Sequence, residues 1–282
     1  MSAQLTDEQL KELALKQYKT ETVKNTNFPT EVIPLPSKGK IYPKDHPLAS
    51  GEIELKYMTA KEEDILTSKN LIKQGVVLDK LLESLIVTPC NYDDIYVGDK
   101  NALLVAARIL GYGKDYTVEI EDPFSGNKQK VTIDLTDLED KDIDEDLLPD
   151  HKNQFEFTLP NSNRVVSFKL MTHKTDKEVS EAIKSQMKKN KTNIDREFTT
   201  RLKHLILAVD GNEDRGYINN FVDNELFALD SLALRNHMND ISPDLDLTFL
   251  FISDETGESM TMQIPMTTQF FWPRAWLQAH VP

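Results

Sequence analysis

The side chains that could carry chemistry are few and poorly spaced for it. Six histidines, His46, His151, His173, His204, His237 and His280, stand singly. None has the partner four residues on that would turn two imidazoles to one side of a helix and onto a zinc ion. Pro36-Ser37-Lys38-Gly39-Lys40 has the outline of a phosphate loop but not the Gly-x-x-x-x-Gly-Lys-Ser/Thr frame that aims backbone amides at phosphate, so it reads as a turn. Neither a Gly-x-Ser-x-Gly elbow nor a Gly-x-Gly-x-x-Gly fingerprint occurs. Cys90, the single cysteine, lacks a catalytic context and reads as a small buried or loop residue. Acid pairs such as Asp93-Asp94 and Asp144-Glu145 could serve as acid and base, but charge-rich loops generate such pairs freely. The expectation is no catalytic residue, no cofactor and no metal.

What the sequence concentrates instead is adhesive. Met260, Met262, Met266, Phe270, Phe271, Trp272 and Trp276 crowd its last stretch, and such side chains bury large area at modest entropic cost. Trp272 and Trp276 read as interface anchors. Phe270 and Phe271 serve equally well as anchors or as the closure of a core. Met262 and Met266, with Leu35 and Pro36 of the Leu35-Pro36-Ser37 string, complete the candidate partner-binding positions.

Composition fits this reading. The chain has 282 residues, enough for two cores, with 39% apolar and 28% charged residues. Its formal charge of -14 repels phosphate backbones, which makes nucleic acid an unlikely main partner. A lone cysteine excludes an intramolecular disulfide and suits a reducing compartment. The N-terminus has no basic region followed by an apolar core, so no signal peptide is expected, and no apolar run approaches the ~18 residues of a membrane span.

The elements that must position these residues recur. Thr6-Asp7-Glu8-Gln9 is a capping-box pattern opening a helical arm with Leu10, Leu13 and Tyr18, ahead of a hinge at Phe28-Pro29. Gly51 to Thr59 alternates like a half-buried strand, and Thr59 with Glu62 caps a helix through Ile65, Leu66 and Ile72. Val76 to Val87 reads as helical. Asp99 reads as the N-cap of a helix with Leu103, Leu104, Ala107 and Leu110, ended by Gly111 and Gly113. Tyr116 to Ile120 and Val131 to Ile133 flank Asp122-Pro123-Phe124-Ser125-Gly126 as a hairpin.

The same order then returns. Lys-x-Met-Thr at Lys56 to Thr59 recurs at Lys169 to Thr172, Thr175 and Glu178 read as the cap of the next helix, and Leu202, Leu205 and Ile206 match Leu82, Leu85 and Ile86. A constant offset of 131 carries Asp99 onto Asp230, Ala102-Leu103 onto Ala233-Leu234, and Val118, Ile120, Gly126 and Ile133 onto Phe249, Phe251, Gly257 and Ile264. The expected fold is α+β: two related units, each a small antiparallel sheet of a strand plus a β-hairpin covered by helices. The arm would occupy 1–30, the first unit 31–135, an acidic linker 136–150 and the second unit 151–282. The linker reads as a solvated connector or, alternatively, an acidic docking segment. The basic stretch from Lys174 to Lys203 could match it internally or meet an external partner.

Several strings together resemble a known family. They are Leu35-Pro36-Ser37-Lys38-Gly39 with Tyr42-Pro43, Met58 to Glu63, Gly98-Asp99 with Arg108, and Tyr112-Gly113. Phe221-Val222-Asp223 through Asp230 and Phe270 to Pro273 add to them more weakly. The resemblance is to the baseplate hub assembly proteins of T-even-like contractile-tailed phages. Many relatives carry Cys-x-x-Cys near the hairpin turn, where this chain has Asp122 to Gly126, which removes any zinc-ribbon role. The resemblance implies no reaction. It implies a late protein that is a baseplate hub component or an assembly chaperone for hub and tape-measure proteins, found in the host cytoplasm during assembly or in the virion tail baseplate. Self-association is a further expectation. The alternatives are a permanent structural scaffold of the tail, a nucleic-acid clamp built on the basic stretch, or an enzyme whose carboxylates gather only in three dimensions.

Overall fold

A computed structural model describes residues 28–189, 196–266 and 270–271. The expected helical arm, and Trp272 and Trp276, lie outside the described residues.

The architecture is α+β. Strand β1 (Thr30–Pro34) pairs antiparallel with β2 (Glu52–Lys56), Val32 opposite Glu54. Three short helices follow, α1 (Ala60–Leu66), α2 (Lys69–Gln74) and α3 (Val77–Leu85), then the longer α4 (Val97–Tyr112) and the hairpin β3 (Asp115–Glu121) with β4 (Lys128–Asp134). After the acidic segment, β5 (Phe155–Thr158) pairs with β6 (Val165–Phe168). Helices α5 (His173–Lys189) and α6 (Glu197–Leu205) lead to β7 (Ile206–Val209), which adds to β6 as a third strand. Helix α7 (Arg215–Asn220) runs through a π turn to α8 (Ala228–Asp240), and the hairpin β8 (Thr248–Ile252) with β9 (Ser259–Gln263) completes the set.

Local chemistry explains the boundaries. At α1 the Glu62 carboxylate takes hydrogen bonds from the Thr59 N–H at 2.9 Å and hydroxyl at 2.6 Å, within the capping box expected at this helix start. Burial opposes the charge on Glu62, but hydrogen bonds from Lys56, Thr59 and Ser84 hold its carboxyl down at about 2. Helix α5 begins at His173, earlier than the Thr175–Glu178 box suggests. The Thr175 N–H points back to the Thr172 hydroxyl at 3.4 Å, so Thr172 stands where Thr59 stands before α1. Gly113 ends α4 at φ 82°, whereas Gly111 lies within the helix, where a Cβ would meet Met58 Sδ at 2.4 Å.

The expected sheet of strand plus hairpin differs in one respect. Each hairpin forms its own two-stranded sheet, and the strand pairs β1–β2 and β5–β6 belong to others. β7 went unread because Ile206-Leu207-Ala208-Val209 is a short apolar run without period, continuous with helix α6. Its counterpart is a single bridge, Leu55 to Ile86, beside a Val87 N–H bond to Glu54.

Both hairpins share one register. Thr117 faces Thr132 and Thr248 faces Gln263, 131 positions on. Each turn closes identically: the Asp122 N–H bonds Asn127 and the Gly126 N–H bonds Asp122, as the Ser253 N–H bonds Glu258 and the Gly257 N–H bonds Ser253. The buried apolar side chains form one cluster running from Leu35 through Leu103, Phe168 and Leu234 to Phe271.

Candidate interaction surface

Most polar chemistry in the interior ties the chain to itself. The N-cap of α4 is Tyr96 rather than the expected Asp99, which sits three residues into the helix with no exposure. Its carboxylate takes the Ser37 N–H at 2.9 Å, the Ser37 hydroxyl at 2.7 Å and the Tyr42 hydroxyl at 2.6 Å. Burial pushes its carboxyl up to about 6, against the pull of these three donors. Asp230 corrects the same reading. Phe227 is the cap of α8, and the fully buried Asp230 takes the N–H groups of Asn161 at 2.7 Å and Ser162 at 3.1 Å. The strings Leu35-Pro36-Ser37 and Leu159-Pro160-Asn161 are thus loops pinned by a buried acid. Gly39 tightens the first, since a Cβ there would lie 2.4 Å from the Ala49 carbonyl.

A second set of polar groups lies along the seam between the N-terminal elements, through β4, and the C-terminal elements, from β5. Asn101 donates to both oxygens of Asp244, at 3.0 and 3.1 Å. Arg108 reaches the carbonyls of Phe270, Gly113 and Asp115. The hairpin tips meet through the Ser253 hydroxyl and Asp122 at 2.5 Å, residues that correspond under the offset of 131. His173 packs on Tyr92, with Lys100 and Asp79 beside it, and burial, with Lys100 next, lowers its pKa from the ordinary histidine value.

The acidic segment 136–150 is held on both sides. Glu145 pairs with Lys38 and Lys40, and Asp150 with Lys44. On the other side the Lys141 N–H bonds Asp244 and the Asp246 N–H bonds Glu139. Of the internal and external matches open to the stretch Lys174 to Lys203, its described residues show ion pairs only outside the acidic segment, Arg201 with Glu197 and Lys203 with Asp223. Charge pattern alone could not tell which lysines the fold brings near.

The anticipated contact residues divide. Leu35 and Pro36 are buried beneath the Asp99 tie, so they serve the core rather than an accessible face. Phe270 and Phe271 are each 1% exposed and take the core role weighed for them, Phe270 lying edge-on to Tyr116. Met262 and Met266 are half-buried. Cys90 is half-buried, and burial, with Asp94 nearby, pushes its thiol up to about 11.

The surface that sequence reading missed is on α8. Phe227, Leu229 and Leu232 are 57%, 60% and 47% exposed, and with Asn236 they occupy one side of the helix start. Arg235 on the same helix lies 4.7 Å over the ring of Phe198, itself 64% exposed on α6. Exposed apolar side chains gathered on one helix side make this a candidate contact site. The available signal was the excess of apolar residues over what one core face of α8 requires. A polar recess of about 420 Å³ lies at the hairpin tips, lined by residues that include Asp122, Lys128, Asp254 and Glu255, and Asp122 is already engaged there with Ser125, Ser253 and the Phe124 N–H. Among the described residues no group of three or more His, Cys, Asp and Glu side chains is arranged to hold a metal. No helix among them is long and apolar enough to cross a membrane.

The buried carboxylates hold loops of the chain itself, and the apolar side chains at the start of α8 lie exposed. The family model described as T4 bacteriophage base plate protein matches residues 30–272, most of the chain, and the chain belongs to that family. Membership gives it a structural or assembly role in a phage baseplate and associates it with the virion tail and other baseplate proteins. No curated protein and no solved structure matches it.

Proposed function

We propose that the chain is an internally duplicated, non-enzymatic baseplate protein that acts as a hub component or as an assembly chaperone for the hub and tape-measure proteins. The observation that carries this reading is the apolar face of Phe227, Leu229 and Leu232 on a chain whose buried acids are engaged in holding its own loops. Such a face costs solubility unless a partner covers it. The duplication, with units at about 31–135 and 151–282 and an acidic connector at 136–150, is supported by the shared hairpin register and by the Asp99 and Asp230 ties. The hub assignment is supported by the family and by the resemblance of the Leu35 to Gly39 and Met58 to Glu63 strings.

Co-expression with the hub and tape-measure proteins of the same phage, followed by purification, tests the reading. A complex is expected, and no complex with any of them sinks it. Mass spectrometry of purified virions separates its two versions. A hub component appears at fixed copy number, whereas a chaperone is absent or far substoichiometric.

A further inference from the structure

Helices α4 and α8 correspond residue for residue at the offset of 131, but their surroundings do not. On α4, Tyr96, Gly98, Val105 and Arg108 are buried; on α8 the corresponding Phe227, Leu229, Asn236 and Asn239 are exposed. The cover over α4 comes from the C-terminal elements. Gly98 lies against Pro243, whose carbonyl would be 1.9 Å from an added Cβ, and Asn101 binds Asp244. Just before α4 the backbone also pairs: the Val97 N–H donates to Met171 at 3.0 Å, the His173 N–H donates to Ile95 at 2.8 Å, and Tyr96 faces Thr172 across this antiparallel bridge.

Both sides of that joint exist a second time, and both are open. Leu226-Phe227-Ala228 leads into α8 as Ile95-Tyr96-Val97 leads into α4, and among the described residues the Leu226 carbonyl and the Ala228 N–H have no backbone partner. Met58-Thr59-Ala60 is the earlier instance of Met171-Thr172-His173. The Met58 carbonyl and the Ala60 N–H are likewise without a backbone partner among the described residues. A chain with one filled joint and the two unfilled halves of another can continue head to tail.

We propose that a second copy of this chain fills the α8 face, with its Met58–Ala60 segment pairing antiparallel to Leu226–Ala228 and its Tyr112–Lys114 turn covering Leu229 and Leu232. Thr59 of one copy then faces Phe227 of the next, as Thr172 faces Tyr96 within the chain. The turn offered has room for the larger side chains: where Pro243-Asp244 meets Gly98 and Asn101, Tyr112-Gly113 meets Leu229 and Leu232, and a Cβ on Gly113 would touch nothing within 4 Å. The contact joins unlike surfaces, so repeated it yields a ring if the rotation closes and a filament if it does not. It rests on the correspondence between the halves and not on the hub or tape-measure reading, which its failure would leave standing.

The test uses single-cysteine chains in a Cys90→Ser background. Facing residues of the non-hydrogen-bonded kind lie about 4.5 Å apart at Cα, within disulfide reach. Thr59→Cys chains mixed with Phe227→Cys chains under mild oxidation should give a mixed disulfide in excess of either homodimer. Tyr96→Cys with Thr172→Cys in one chain calibrates the chemistry by closing internally. Leu229→Lys with Leu232→Lys, both exposed positions, should remove the mixed species and leave a folded monomer in sedimentation. The proposal is overturned if the internal disulfide closes but the mixed one does not, if Phe227→Cys couples to itself instead, or if the unmodified chain stays monomeric to its highest soluble concentration.

Discussion

Helices α4 and α8 match at an offset of 131 residues and lie in different settings. Both start after an aromatic cap, both bury an aspartate three residues in, and both turn a leucine, Leu103 and Leu234, fully inward. α4 buries a second side as well, because Pro243, Asp244 and Phe270 lie over it, while α8 leaves that side to solvent. The lesson is that corresponding sequence positions report the shared core reliably and the outer contacts hardly at all. At the corresponding positions 98 and 229 stand a glycine pressed against the Pro243 backbone and a leucine that is 60% exposed.

The largest effect expected is at the buried acids. Asp99→Asn gives up an acceptor to three donors and should cost about 3 kcal/mol. Asp230→Asn, with two donors, should cost about 2 kcal/mol. Denaturant unfolding measures both, and equal costs would break the ranking.

Gly98→Ala comes next. Its Cβ would run into the Pro243 carbonyl, so overpacking should cost about 2 kcal/mol, whereas Leu229→Ala at the corresponding exposed position should stay within about 0.5 kcal/mol in the monomer. A costly Leu229→Ala in dilute protein would mean that α8 is covered within the chain after all.

Acid should loosen the seam. The folded-state pKa of His173 is depressed by burial, so its contribution is intact above the unfolded value of about 6.5 and is lost as pH falls through the lower folded value. His237, stacked on Phe157, is lowered in the same direction. The two histidines therefore lower the denaturant midpoint as pH falls from 7.5 to 5.5, against Asp99, whose raised carboxyl stabilises the fold over the same window, and His173→Gln should remove its part of that loss. An unchanged slope in the variant would remove His173 from the account. The smallest effect belongs to the pair of Lys38 and Glu145 on the surface, where Glu145→Gln should leave the melting temperature essentially unchanged and any response should vanish with added salt.

Much of this fold was legible in the sequence, and the reasons are physical. Capping boxes, hairpin turns and apolar periods are local, so Thr59 with Glu62 and the turn at Asp122 to Gly126 could be placed from their neighbours alone. The buried aspartates could not, because an Asp ahead of an apolar run looks like a cap, and only the loop arriving from Ser37 or Asn161 shows otherwise. The exposed side of α8 was not legible for a related reason. Aromatic content drew attention to Phe270 and Phe271, which the core consumes, while Leu229 and Leu232 looked like ordinary helix residues until their surroundings were known.

The central claim, that the α8 face is held open for a partner chain, is tested most directly by the reactivity of one cysteine. In a Cys90→Ser chain carrying Leu232→Cys, maleimide labelling should be fast in dilute protein and strongly slowed in the concentrated chain or in baseplate assembly complexes. Equal, fast labelling in every state would contradict the account.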